Sequence, residues 1–231
     1  MLQSKNVAKF QKTKLRGGLR MIDKKELEKM FEFHGHKCWA STLGFRAGLI
    51  ALNKLGAKRI KSRGLYAVVE TGYAHGAVCF LDGLQYVTGC TVGKAAILWK
   101  PRGKLAFTLI DAKQGKQIRI AYKFNPEIRE RIANTQFMKK RAQGIPPHEI
   151  PDEEAWEAVN IILSASEEEL FVIGEVESTD FIPPEEILGA QQCEICGEWV
   201  SLPYIRILGP KKVCIDCAGY EEGFEKGFEG V

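Results

Sequence analysis

The chain has 231 residues, of which 45% are hydrophobic and 27% are charged, and its formal net charge is +4. This length suits one ordinary domain with a small appendage, and the apolar content is sufficient for a packed core. No run of 18 apolar residues occurs, so we expect no transmembrane helix, and the first residues lack the pattern of a secretory signal.

The N-terminal part is predicted to contain a basic extension followed by two helices and a strand. Residues 1–20 carry six Lys or Arg and no acid, and we interpret them as a flexible extension or a mis-assigned start before Met21. Asp23 and Glu26 have the spacing of a capping box, which predicts the start of a helix. The predicted elements are a helix over 23–33, a helix over 39–55 that Gly56 ends, and a buried strand over 66–70.

The rest of the first domain alternates helix and strand patterns and then clusters its strands. The predicted elements are a helix over 75–88 that Gly89 ends, strands over 95–99, 104–110 and 117–122, a basic helix from Pro126 to Arg141, a helix from Pro151 through Ile161, and a strand over 170–176. This order predicts an α+β fold in which helices flank a mixed sheet. We place a core domain at 21–186 and a second domain at 190–231.

Charge is strongly segregated along the chain. Residues 39–69 carry six basic residues and no acid, whereas 149–186 carry 13 acids and no base. A basic face of this kind can bind nucleic acid or an anionic ligand. It can also meet the acidic segment within the fold or across a homodimer, and we favour this second interpretation because the two blocks nearly balance.

The segment from His34 to Cys38 places three metal ligands within five residues, in a chain with only four histidines. Imidazole nitrogen and thiolate sulfur are ligands that zinc prefers. Gly35 gives the backbone freedom to bend between them, and the start of the following helix favours the thiolate form of Cys38. The alternative is a polar turn whose histidines only cap backbone groups.

Cys79 and Cys90 are the cysteines left to complete a site with this segment. The sharper hypothesis is a shared site of His36, Cys38 and Cys79, with His34, Cys90 and Asp82 at its edge. Fewer than four fixed protein ligands would leave a position for water or substrate, as in catalytic metal sites. Our candidate metal ligands are therefore His34, His36, Cys38 and Cys79, and our candidate catalytic residues are Cys38, Cys90 and Asp82. The alternative is that the lone cysteines are small hydrophobic core residues.

The remaining four cysteines form two Cys-x-x-Cys pairs, separated by 17 residues, at Cys193, Cys196, Cys214 and Cys217. An odd total of seven cysteines and this spacing favour a structural zinc site in a reducing cytoplasm over a disulfide framework. A knuckle at Gly197, a hairpin around 199–207 and a helix over 218–228 would make a treble-clef-like finger. Disulfide, thioredoxin-type redox and rubredoxin-like iron are the alternatives.

In their order, these motifs resemble those of the FmdE family, which is named for formylmethanofuran dehydrogenase, in its two-domain form. The resemblance covers roughly residues 25–125 and 190–220. It rests on the segment 34–38, on Gly44-x-Arg46-x-Gly48, on Glu70, on Cys79 with Asp82, on Gly89-Cys-Thr-x-Gly-Lys94, on the strand at 104–107, and on the terminal four-cysteine finger.

The resemblance implies a thioredoxin-like core with a mixed five-stranded sheet, and a treble-clef zinc finger. It also implies a second divalent metal, expected to be zinc, in the core pocket at His34, His36, Cys38 and Cys79, with Cys90 and Asp82 nearby. Some family members are encoded beside the molybdenum or tungsten formylmethanofuran dehydrogenase of methanogenesis. One departure is Trp39-Ala40, where the family commonly has Pro-Gly, and Trp39 could narrow or cover the pocket.

These features favour a cytoplasmic metalloprotein of one-carbon or molybdopterin metabolism, with an accessory or an enzymatic role, whose expected partners are a second copy and components of the dehydrogenase. The alternatives are a nucleic-acid or transcription-related binder that uses the finger and the basic helix 126–141, and an interaction module. The acidic residues that follow Cys217 disfavour insertion of the last helix into a DNA groove, and no membrane partner is expected.

Overall fold

The computed structural model describes residues 22–72, 74–185 and 188–219. The predicted extension 1–20 lies outside the described residues. The chain forms two compact units, which meet in sequence between Ile182 and Pro183. No helix in the described residues is long and apolar enough to cross a membrane.

The first unit contains seven helices and six strands among its described residues. The helices are α1 (Lys24–His34), α2 (Trp39–Leu55), α3 (His75–Thr88), α4 (Pro126–Ala133), α5 (Gln136–Ala142), α6 (Asp152–Ser164) and α7 (Glu167–Leu170). The strands are β1 (Leu65–Val69), β2 (Ile97–Trp99), β3 (Ala106–Asp111), β4 (Lys116–Tyr122), β5 (Phe171–Ile173) and β6 (Glu177–Ser178).

The strands of this unit make one mixed sheet in the order β2-β1-β3-β4-β5, and the two-residue β6 also pairs with β4. β1 and β2 are parallel, whereas the other pairs are antiparallel. The α+β prediction with a mixed five-stranded sheet and flanking helices is therefore confirmed, with one short strand added. The thioredoxin-like assignment of the core stays a prediction.

One face of the sheet carries the apolar side chains that build the main core. Ala67 pairs with Leu109, which in turn pairs with Ile118, so one row of side chains crosses three strands. All three are at most 1% exposed. Because side chains alternate between the two faces of a sheet, these residues lie together on one side. They belong to the same core as buried residues of α2 and α3, which include Leu43 and Phe80.

α2 and α3 approach each other closely because glycines face the contact. A Cβ on Gly44 would lie 1.8 Å from the backbone oxygen of Phe80, and one on Gly83 would lie 1.9 Å from that of Ser41. Real Cβ atoms do not approach oxygen this closely, so only glycine fits at either position. This contact fixes the distance between the N-terminal ends of the two helices.

The basic and acidic segments meet within the first unit, where α2 packs against α6. Arg46 is 3% exposed and donates to the carbonyl oxygens of Ile162 and Ala165. These carbonyls lie at the C-terminal end of α6, where the helix leaves acceptors without an internal partner. Burial lowers the pKa of the Arg46 guanidinium, whereas the nearby carboxylates of Glu167 and Glu169 act in the opposite direction and raise it.

The prediction of one continuous basic helix from Pro126 to Arg141 is wrong. The helix ends at Ala133. Thr135 has an extended backbone conformation, and its side-chain hydroxyl accepts the N–H of Met138 at 3.3 Å. Threonine is a favoured N-cap, so it starts a new helix, α5, rather than continuing the old one.

Local capping also differs from the prediction near the first helix. Asp23 does cap α1, by accepting the N–H of Lys25, but Glu26 pairs with Lys29 instead of closing a capping box. A reciprocal capping box occurs instead at Ser166 and Glu169, at the start of α7. The predicted last strand over 170–176 is shorter, because β5 ends at Ile173.

The described residues of the second unit form two hairpins and a short helix. The strands are β7 (Ala190–Gln192), β8 (Trp199–Ser201), β9 (Arg206–Leu208) and β10 (Lys211–Val213), and the helix is α8 (Ile215–Ala218). β7 pairs with β8 and β9 pairs with β10, both antiparallel. The predicted hairpin over 199–207 is wrong, because this stretch contains one strand from each of the two hairpins. The predicted helix over 218–228 lies almost entirely outside the described residues.

Candidate metal centre

The junction between α1 and α2 carries the ligand segment singled out in the sequence. Gly35 adopts a φ of +95° and its N–H bonds to the carbonyl of Phe31 at 2.7 Å, which ends α1 directly after His34. Glycine adopts this left-handed conformation without the penalty that a Cβ brings. Cys38 is then the extended N-cap of α2. The short turn therefore holds a helix C-terminal histidine beside a helix N-terminal cysteine.

Three of the predicted ligands converge in the structure. His34, Cys38 and Cys79 each offer a ligand atom, and these three atoms all lie within 4.8 Å of one another. Cys79 comes from α3, and the glycine-mediated contact of α2 with α3 brings it to Cys38. Cys38 and Cys79 are 6% and 3% exposed and form a small buried cluster with Ala40. The structure therefore brings one imidazole nitrogen and two sulfurs close enough together to surround one ion.

The imidazole of His34 is oriented by Asp82, one turn beyond Cys79 on α3. Its Nδ1 lies 2.8 Å from a carboxylate oxygen of Asp82. Its Nε2 is buried and has no hydrogen-bond partner among the described residues. Buried polar atoms normally have a partner, so an unpaired nitrogen at this position indicates that a ligand binds there. A carboxylate on one ring nitrogen with the other free to bind is the usual environment of a metal-ligating histidine.

The pKa values of these side chains depend on one another because their ionisable atoms are close together. Hydrogen bonding from Cys79 lowers the pKa of Cys38 well below that of an ordinary thiol, and His34 and His36 lower it further. The neighbouring Cys38 thiolate in turn raises the pKa of Cys79. Burial disfavours protonated His34, yet its contacts with Asp82 and Cys38 raise its pKa to about 9. These shifts favour the thiolate form of Cys38, which is the form that binds a metal ion, and a bound cation would take the place of the proton on His34.

The other predicted residues occupy different places. The ring of His36 lies 4.6 Å from that of His34, between centroids, but His36 is not in the group of three converging ligand atoms. Asp82 contacts His34, as described above. Cys90 is fully buried in the main core, where its N–H bonds to the Thr88 hydroxyl at 3.1 Å and burial raises the pKa of its thiol to about 11. The catalytic assignments of Cys38, Cys90 and Asp82 stay predictions.

A cavity of about 350 Å³ adjoins the converging ligands. Its wall is formed by residues of the turn between α1 and α2, of α2, α3 and α5, and of the segment that follows α5. The lining residues are His36, Cys38, Trp39, Ala40, Gly76, Cys79, Phe137, Met138, Arg141, Ala142 and Pro147. The residues from α5 were missed in the sequence, because they are about 100 positions from Cys38 and carry no metal-ligand signal. The Thr135 cap was the available sign that a separate helix begins there.

The four cysteines of the second unit also converge, as predicted from their spacing. Their sulfurs all lie within 4.8 Å of one another. Gly197 has a φ of +79°, as expected for a tight knuckle. Burial would raise the pKa of Cys193, but backbone N–H groups, including that of Cys214 at 3.3 Å, lower it to about 6. The cluster could therefore hold a metal ion such as zinc, in a closed four-sulfur environment.

Known proteins resemble this chain over most of its length. A family model described as "FmdE, Molybdenum formylmethanofuran dehydrogenase operon" matches residues 33–172. A protein of Archaeoglobus fulgidus named "Probable S-adenosyl-L-methionine-binding protein" is 30% identical over 200 residues, which cover 81% of this chain and 51% of that protein. The chain thus spans about half the length of this curated relative.

A solved structure has a similar fold. It is described as a "tungsten formylmethanofuran dehydrogenase subunit e (fmde)-like protein" from Syntrophus aciditrophicus, and it matches with a TM-score of 0.52 and 20% sequence identity. The match covers 85% of this chain and 91% of that chain. At this identity, the likeness shows the fold alone.

Proposed function

Because this chain belongs to the FmdE family, we propose that it is a metal-binding protein associated with formylmethanofuran dehydrogenase, with a zinc-class ion held by His34, Cys38 and Cys79. The observation that carries the proposal is the buried Nε2 of His34. This nitrogen has no partner among the described residues, the imidazole converges with two cysteine sulfurs, and the other ring nitrogen is held by Asp82.

The donor set fits such an ion. One imidazole nitrogen and two thiolates are zinc ligands, and three protein ligands are the number found in catalytic rather than structural zinc sites. When bound, the ion would supply a Lewis acid with an open position for a ligand from the adjacent cavity. In this proposal Asp82 positions His34, whereas Cys38 and Cys79 hold the metal from two different helices.

We propose that the second unit is a structural zinc finger of the treble-clef type. Its four sulfurs would close the coordination sphere. Such a small unit buries little apolar surface, so its folding would depend on metal binding, which supplies about 10–16 kcal/mol in zinc-finger peptides. A finger of this kind would provide a binding surface but no catalytic metal, and it therefore supports an accessory role.

The link to molybdenum or tungsten one-carbon metabolism, an association with components of the dehydrogenase and a homodimer are part of the same proposal. The description of the family supports the link to the dehydrogenase. Binding of S-adenosyl-L-methionine is not part of the proposal, because about half of the relative that carries this name lies outside the match.

Metal content of purified variants tests the proposal. The full chain should carry two zinc ions, measured by plasma mass spectrometry per chain after gel filtration. His34→Ala and Cys79→Ser should each carry about one, because each removes a ligand of the core ion. His36→Ala should keep both, since His36 is outside the converging group.

His148→Ala is the matched control, because this histidine is 71% exposed at its side chain and lies 3.8 Å from the exposed Glu149, outside the converging ligands. It should also keep both ions. A wild-type chain with a single ion, or unchanged metal in both His34→Ala and Cys79→Ser, would overturn the core site.

A further inference from the structure

The cavity beside the candidate metal centre has a largely apolar wall. Its wall contains aromatic, thioether and proline side chains, namely Trp39, Phe137, Met138 and Pro147. Among the described residues no carboxylate lines it, and Arg141 is its one permanently charged side chain. An arginine stays protonated at all physiological pH values. The cavity therefore combines a large apolar surface with one permanently cationic side chain, beside the sulfurs of Cys38 and Cys79.

Contacts within the described residues engage only part of the Arg141 guanidinium, so some of its N–H donors are available to a ligand. One guanidinium nitrogen, Nη1, donates to the carbonyl of Ile145 at 2.5 Å. No other acceptor among the described residues contacts this side chain, whereas the preceding Lys140 is paired with Glu154 at 2.7 Å. The guanidinium of Arg141 thus keeps further N–H donors at the cavity wall, oriented by the contact that fixes the first.

We propose that this cavity binds an organic monoanion with an apolar body, such as a medium-length or aryl-substituted carboxylate, whose charged group pairs with Arg141. This inference rests on the proposed function in that the same cavity wall contains Cys38 and Cys79. The anionic end is held by charge-assisted hydrogen bonds, and the body lies against Trp39, Phe137 and Met138.

Other ligand classes fit the wall less well. A neutral ligand would leave the guanidinium donors unpaired once water is expelled, which is costly. A cation would be repelled by Arg141. A phosphorylated dianion would find only one permanently charged side chain, Arg141, among the described residues of the wall. The charge and the apolar surface together select a single negative charge on a hydrophobic molecule.

Trp39 provides a local readout of binding. Because its indole lines the cavity, occupation changes its fluorescence, and Trp39→Phe identifies the signal. We would titrate the full-length, zinc-grown protein with 4-phenylbutyrate and with 4-phenylbutanol, which has nearly the same shape without the charge. Isothermal calorimetry on the same samples gives the dissociation constants.

The acid should bind at least about tenfold more tightly than the alcohol, because a hydrogen-bonded charge is worth more than one factor of ten in affinity. Arg141→Gln should remove that difference. Lys139→Gln is the matched control, since Lys139 is an exposed cation on the same helix outside the cavity wall, and it should keep the difference. Equal binding of acid and alcohol to the wild type, no binding of either, or an equal loss in both variants would overturn the proposal.

Metal content of each sample separates this inference from the proposed function. If the core zinc is present and the acid is not preferred, the anion cavity is wrong and the metal site stands. If the wild type lacks core zinc but prefers the acid through Arg141, the metal site is wrong and the cavity stands.

Discussion

At the scale of single residues, Asp82 is the clearest positioning group. Its carboxylate lies 2.8 Å from Nδ1 of His34, which leaves the buried Nε2 as the ring nitrogen available to a metal ion. Asp82→Ala should weaken core-metal affinity by about 10–100-fold, the usual cost of removing a carboxylate that orients a metal-binding histidine. Competition with a chromophoric chelator measures the affinity directly.

A second aspartate serves as the control for this change. Asp152 is 69% exposed at its side chain, pairs with Lys37 at 2.6 Å, and is not one of the converging ligands. Asp152→Ala should leave the core-metal affinity unchanged. An unchanged affinity in Asp82→Ala would show that the orientation of His34 does not depend on this carboxylate.

The candidate metal ligands could be identified from the sequence, but which of them converge in the core site could not. The spacing of the finger cysteines predicted their convergence, because four sulfurs in two short knuckles have few other arrangements. In the core, the sequence placed His36 with Cys38 and Cys79, whereas the structure brings His34 to them. Which histidine faces inward depends on the left-handed turn at Gly35, and that geometry has no signature in residue type alone.

Two residues of the family motif instead support the fold. Arg46 caps the carbonyls at the end of α6 from within the core. The carboxylate of Glu70, at the end of β1, receives two hydrogen bonds from Arg119, at 2.7 and 3.0 Å, and this pairing lowers the pKa of Glu70. A motif that belongs to one family therefore mixes site residues with structural ones, and only the structure separates them.

At the scale of elements, the contact of α2 with α3 is the feature on which the core site depends. Gly83→Ala would place a Cβ 1.9 Å from the backbone oxygen of Ser41. A backbone atom cannot rotate away as a side chain can, so the helices must separate. We expect a loss of about 3 kcal/mol in the free energy of unfolding, measured with urea, together with loss of core zinc.

Gly76→Ala tests whether any alanine in α3 has this effect. A Cβ at this position would meet no atom within 4 Å, and the residue lies in the same helix. Alanine there should change the free energy of unfolding by at most about 1 kcal/mol, in the stabilising direction, because glycine is the poorer helix former. If both variants behave alike, close helix packing does not hold Cys38 and Cys79 together.

Elements with strong local signals were predictable and those decided by tertiary contacts were less so. α2 and α3 match their predicted bounds because glycines at positions 56 and 89 end them in the left-handed conformation. The separation of α4 from α5 was missed because basic residues occur on both sides of the break, although Asn134 and Thr135 between them are polar capping residues. In the second unit, the three-residue strands are too short for a periodic pattern, so their pairing could not be assigned.

At the scale of the whole molecule, the two units have separate sources of stability. The first has a large apolar core that spans its sheet and helices. The second has one small cluster of Cys193, Val213 and Cys214 among its described residues, and two of its members are candidate ligands. Since so few buried side chains cannot offset the entropy of ordering the chain, metal binding is expected to supply the balance.

Cys193→Ser tests this division in the full chain. Cys193 is 2% exposed, and its sulfur accepts the N–H of Cys214, so the change removes a ligand and a structural contact together. The variant should lose one zinc and the hydrogen-exchange protection of residues 188–219, while β3 and β4 stay protected and the core zinc is retained. Cys90→Ala, which removes a buried cysteine outside both ligand groups, should keep both ions. Loss of both ions from Cys193→Ser would show that the two units do not fold independently, because the core site would then depend on the finger.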